Sequence, residues 1–123
     1  MIRLLSKGKV QAIAGILVVD SNRRMVSMNR KFIEMWRLPQ HIIVSQDEDQ
    51  ALEFASKLVE NSKSFLKSVQ EIYIHMELEV HDTIKLKDGR IFERQSMAQF
   101  LESKCVGRIW KFCEMTECIS SNK

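Results

Sequence analysis

The Asp88-Gly89 pair constrains this chain more than any other feature, because it separates two stretches of strand character, Thr83 to Lys87 and Ile91 to Leu101. An Asp-Gly dipeptide in that setting predicts a β-hairpin, since a type I′ turn needs positive φ at both central residues. After a polar break at Glu102 to Lys104, a last strand is expected over Val106 to Thr116. Counting outward from the turn puts Phe92, Arg94, Ser96 and Ala98 on one face of their strand, with Glu93, Gln95 and Met97 on the other. Ile84 falls on the neighbouring strand, and Trp110, Phe112 and Glu114 share a face of the last one.

Upstream, Ile16 to Asp20 is an apolar, β-branched run with almost no alternation, as suits a central strand covered on both faces. Ser21, Asn22 and Arg23 make a turn, and Met25 to Met28 reads as a second short strand. Asn29 is an N-cap for a helix whose buried face holds Phe32, Ile33 and Trp36. Met28 and Ile33 stand at hydrophobic-staple positions, and Pro39 ends that helix. Ser45 and Glu48 form a capping box ahead of Ala51, Leu52, Ala55, Leu58 and Val59 on one helical face. Phe65, Leu66, Val69, Ile72, Tyr73 and Met76 then give the cleanest 3.6-residue period in the chain. The order is two strands, three helices and three strands: an α+β fold with an antiparallel sheet and helices gathered on one face.

At 123 residues the chain suits one domain, expected over 15–118, with a short or irregular helical flank at 1–14 and a disordered tail at 119–123. Its 19 basic and 16 acidic residues are intermixed, which gives nucleic-acid binding no support. The longest apolar run, Ala12 to Val19, is far short of the ~20 residues that a membrane helix needs. No signal peptide is recognisable, so a cytoplasmic location is expected. Cys105, Cys113 and Cys118 contain no C-x-x-C pair, and reduced thiols are expected rather than a disulfide framework or zinc site.

The element order, together with GILVVD at 15–20, NRKFIEMW at 29–36, LKDGRIFERQS at 86–96 and VGRIWKFCEMTE at 106–117, resembles a PAS domain of the kind found in bacterial sensor histidine kinases. The resemblance implies a five-stranded antiparallel sheet in the order 2-1-5-4-3, cupping helices over a small cavity. It also implies a signal-input module that works with a histidine kinase or another output domain. CEMTE at 113–117 is similar to the family's closing motif, with Glu114 in place of the usual Asp. The chain ends a few residues later, so no catalytic domain is expected within it.

Aligned with that pattern, Arg94 projects into the cavity beside Trp110 and Phe112, with Ser96, Ile84, Phe32 and Trp36 completing the ligand-binding set. A buried guanidinium needs a partner: either the carboxylate of a small ligand or an internal acid such as Glu114 or Glu34. Trp110 and Phe112 serve equally as core packing or as a ligand platform. His75, at the end of the third helix, is either a haem ligand, as in some family members, or a helix-terminal histidine. No cysteine precedes Cys105, which argues against flavin photochemistry. No hydrolase, phosphate-loop or metalloprotease motif is present, so no enzyme activity and no metal site are expected, and the cofactor is left unknown. Three functions are consistent with the sequence: a ligand-responsive input module relaying through dimerisation, a ligand-free homodimerisation module, and a haem gas sensor.

Overall fold

The computed structural model describes residues 14–115. The expectations for segments 1–13 and 119–123 therefore lie outside the described residues. Nine elements follow in the order β1 (Gly15–Asp20), β2 (Met25–Met28), α1 (Arg30–Trp36), α2 (Gln40–Ser45), α3 (Glu48–Ser56), α4 (Ser62–Ile74), β3 (Val80–Lys85), β4 (Ile91–Leu101) and β5 (Lys104–Glu114). The strands form one antiparallel sheet in the order β2-β1-β5-β4-β3.

Asn29 fixes the entry to the helices. Its side chain accepts from the amide of Phe32 at 2.9 Å, capping α1, and from the amide of Ile16 at 2.9 Å, while its own amide group donates to Ala14 at 3.0 Å. This pins α1 flat against β1. Gly15 makes the approach feasible, since a Cβ there would lie 2.7 Å from Phe32 Cα. Trp36 packs edge-on against Phe92 and Phe112 at centroid distances of 5.1 and 5.3 Å, which joins α1 to the middle of the sheet.

The helical segment departs from expectation at two points. First, α1 does not run to Pro39. Arg37 adopts a left-handed conformation, and the amides of Arg37 and Leu38 donate back to Glu34 and Ile33, a Schellman ending. Pro39 then caps the start of the short α2, which the sequence pattern did not separate from loop. Second, the Ser45–Glu48 capping box does not form. Ser45 closes α2, its hydroxyl donating to Ile42, and the cap of α3 is Asp47, which accepts from Asp49. Glu48 is instead drawn into the interior, 2% exposed.

The β3–β4 connection also differs in detail. Gly89 has φ of 96°, while Asp88 is absent from the positive-φ residues, so the turn is not type I′. Hydrogen bonds from the Gly89 amide to Leu86 and from the Leu86 amide to Arg90 enclose a three-residue loop, Lys87-Asp88-Gly89, the form that ends in a glycine bulge. The extra loop residue shifts the β3–β4 register by one, and β3, separately, begins at Val80 rather than Thr83. The expected face assignment is nevertheless found, with Ile84 opposite Phe92 and both buried. The last strand is Lys104–Glu114 rather than 106–116, joined to β4 through Glu102 and Ser103, both at positive φ. Cys105 is a free thiol, whereas Cys113 is disulfide-bonded, so the expectation of reduced thiols does not hold there.

Candidate ligand cavity and its polar frame

The helices cover a cavity of about 40 Å³. Phe32 and Trp36 reach it from α1, Arg94 from β4, and Trp110 and Phe112 from β5, five of the seven residues picked out from the sequence. Leu17, Ala51, Ala55 and Phe65 supply much of the remaining wall. Ser96 and Ile84 are buried but do not line it. Ile84 faces a groove between β3 and α4, and Ser96 is engaged within the sheet. Alternation assigned the face correctly in both cases. What it cannot give is depth along the strand relative to the helices.

Arg94 is 3% exposed. Its guanidinium grips Asp82 through Nε to Oδ1 at 2.9 Å and Nη2 to Oδ2 at 2.7 Å, and Nη1 donates to Ser68 Oγ at 3.3 Å. The fork geometry is that of a strong, charge-assisted pair. An internal acid therefore serves as the partner, but neither of the two proposed from sequence. Glu34 is exposed on α1, and Glu114 lies opposite Phe92 at the next register position. Asp82 stands directly across from Arg94 on β3, a pairing visible only once β3 is extended back to Val80.

Two further polar arrangements escaped the sequence reading. On one wall of the cavity, Glu48 accepts from Arg23 Nε at 2.8 Å and from the Tyr73 hydroxyl at 2.7 Å, and Tyr73 in turn accepts from Trp110 Nε1 at 3.2 Å. This chain ties the β1–β2 turn, α3, α4 and β5 together. Burial pushes the Glu48 carboxyl above its usual range, against the opposing pull of Arg23 and Tyr73. Burial, with the Glu48 charge beside it, also raises the Tyr73 phenol. The helical spacing 48, 51, 55 was the available signal, for it places Glu48 on the same face as Ala51 and Ala55. Arg108 is fully buried and donates to Ser96 Oγ at 2.6 Å and to the backbone carbonyls of Met76 and Leu78, fastening the α4–β3 connection to β5. Burial lowers its pKa. Strand parity with Trp110 and Phe112 was the clue.

One buried polar atom lacks a partner among the described residues, the indole N–H of Trp36 on the cavity wall. His75, by contrast, is the exposed C-cap residue of α4 and takes no part in the wall. The cavity that the wall encloses has room for about three waters. No group of three or more candidate metal ligands occurs among the described residues. No helix among them is long and apolar enough to cross a membrane.

A 2-1-5-4-3 antiparallel sheet cupping helices over a small cavity defines the class of sensory α+β domains outlined from the sequence. The family model described as the PAS fold matches residues 11–102, and the chain belongs to that family. Among solved structures it is similar to the sensor region of a sensor histidine kinase, with a TM-score of 0.66 and 8% identity over 85% of this chain. The chain spans 40% of that sensor region. It is also similar to a PAS domain of a protein from Colwellia psychrerythraea, with a TM-score of 0.52 and 14% identity over 85% of this chain and 87% of that one. A third similar structure is the LOV domain of a blue-light activated histidine kinase from Erythrobacter litoralis EL346, with a TM-score of 0.51 and 16% identity over 82% of this chain and 94% of that one. No curated protein matches the chain.

Proposed function

We propose that this PAS domain is a non-catalytic signal-input module of a histidine-kinase-type system, and that it relays as a homodimer through the outer face of its sheet. One observation carries this reading: Val18, Ile109 and Met97 stand in direct register across β1, β5 and β4 on the face away from the helices, and Met97 is 46% exposed. Ile16 and Val26 extend the same apolar area toward the β2 edge, at 37% and 49% exposure. A contiguous apolar area on one face is the kind of surface that mediates protein–protein contact. The internal partnering of Arg94 supports the same view, because the domain does not need a ligand to satisfy its buried cation.

Native mass spectrometry of freshly purified protein tests it. A dimer without adduct, converted to monomer by Ile109→Lys, is the expected result; a wild-type monomer sinks the proposal. A second reading, that the cavity takes a small ligand, is favoured by the unpartnered Trp36 N–H. A reproducible mass adduct would support it.

A further inference from the structure

The internal cavity and the outer groove are separated by very little. The groove, of about 290 Å³, runs between α4 and β3 and is open to water. Only two residues line both spaces, Phe65 from α4 and Arg94 from β4. Arg94 is held by Asp82, whose side chain is 46% exposed toward the solvent side, and by Ser68, whose hydroxyl donates to Phe65 O at 2.7 Å. Asp82 lies on β3, the edge strand of the sheet, whose outer side is met by segment 58–60 only at residues 85–87 among the described residues.

We infer that the Arg94–Asp82 pair is an exchangeable gate, and that the molecule it admits is a small monocarboxylate with a short apolar body. The ligand carboxylate takes the place of Asp82 on the Arg94 fork, and Asp82 swings out to water. The apolar body then passes Phe65 into the space bounded by Trp36, Phe112 and Leu17. This deepens the ligand reading of the cavity and rests on it.

Three features set the ligand class. The fork of Arg94 fits a planar carboxylate in bidentate fashion, as the bond to Asp82 demonstrates. The walls beyond it are apolar and aromatic. The room for about three waters holds only a short apolar body of about two or three carbons, with the carboxylate left outside on the Arg94 fork. Longer or dianionic acids are disfavoured, because a second carboxylate would have to enter the apolar interior or face Glu48 across the cavity.

Asp82 is an intramolecular competitor with an effective concentration of millimolar or higher, so affinity in the unaltered protein is weak and rises when Asp82 is weakened. The chain has two tryptophans, and both line the cavity, so intrinsic fluorescence reads its occupancy directly. The experiment titrates the full chain with sodium butyrate and, in parallel, with 1-butanol, at constant ionic strength. The expected result is a saturable fluorescence change with butyrate in the range up to tens of millimolar, and at least about tenfold tighter binding in Asp82→Asn, while 1-butanol binds at least about tenfold more weakly than butyrate in both. Equal responses to butyrate and 1-butanol overturn the exchange while leaving the cavity a ligand site. No saturable response to either in wild type and variant overturns both. Unchanged or weaker butyrate binding in a folded Asp82→Asn protein also overturns the gate. Where that variant does not fold, the wild-type comparison of butyrate with 1-butanol decides alone: a preference for butyrate supports the exchange and its lack refutes it.

Discussion

Arg94 and Asp82 face each other directly across β4 and β3, and a 97% buried guanidinium is thereby neutralised by a carboxylate that is half in water. The asymmetry gives the pair its energetic character. Removing Asp82 leaves a buried charge alone, whereas removing both partners leaves only a space to fill.

Asp82→Ala is expected to destabilise the domain by about 3 kcal/mol, at the low end for buried pairs because water reaches the Asp82 side. Asp82→Ala combined with Arg94→Met should return to within about 1 kcal/mol of the parent. Urea unfolding of the two single variants and the double variant measures the coupling. Additive losses would show that the two side chains do not act as a pair.

Glu48 predicts a pH dependence of defined sign. Its folded pKa is raised, chiefly by burial, so the folded state holds the proton more tightly than the unfolded chain does. The stability it contributes is full below the ordinary carboxylate range and is lost as pH rises through the folded value. Glu48→Gln, neutral at every pH, removes this dependence. Wild type should therefore lose stability relative to Glu48→Gln as pH climbs from about 4 toward neutrality, measured by calorimetry at several pH values. The opposite slope would mean that the Arg23 and Tyr73 bonds outweigh burial.

Two glycines should respond very differently to alanine. At Gly89 a Cβ meets nothing within 4 Å, so the cost is only that of positive φ, about 1–2 kcal/mol and a melting point lower by roughly 5–10 °C. At Gly107 a Cβ would lie 2.1 Å from the carbonyl oxygen of Val19 on the paired strand β1. Gly107→Ala is expected to yield no folded protein, judged by circular dichroism and solubility.

Arg108 ties the α4–β3 connection to the sheet without a carboxylate partner among the described residues. Replacing it with Met relieves a buried cation and frees two backbone carbonyls, so overall stability should change by no more than about 1 kcal/mol. The change should be local: amide exchange around residues 76–80 is expected to accelerate at least about tenfold, by hydrogen-exchange mass spectrometry. Uniform acceleration across the sheet would contradict this placement.

The sequence carried the architecture because local patterns report local geometry. Alternation after the Asp88-Gly89 turn put Phe92, Arg94 and Ser96 on the inner face, and Asn29 marked the start of α1, since a side-chain cap depends only on residues a few positions away. The misses share a cause. Ser45 and Glu48 satisfied a capping motif, yet burying Glu48 against Arg23 and Tyr73, each 25 residues distant, drew it away from that role. Arg94 was recognised as needing a partner, but the acid depended on the register of β3, which shifted when the turn held three residues instead of two. The sequence by itself determined which sheet residues face inward, and so the PAS-like sheet, but not which of them reach the cavity. Only the tertiary structure decided which charges meet inside, because pairing across strands and helices is fixed by register and depth, and these are properties of the assembled layers rather than of any one segment.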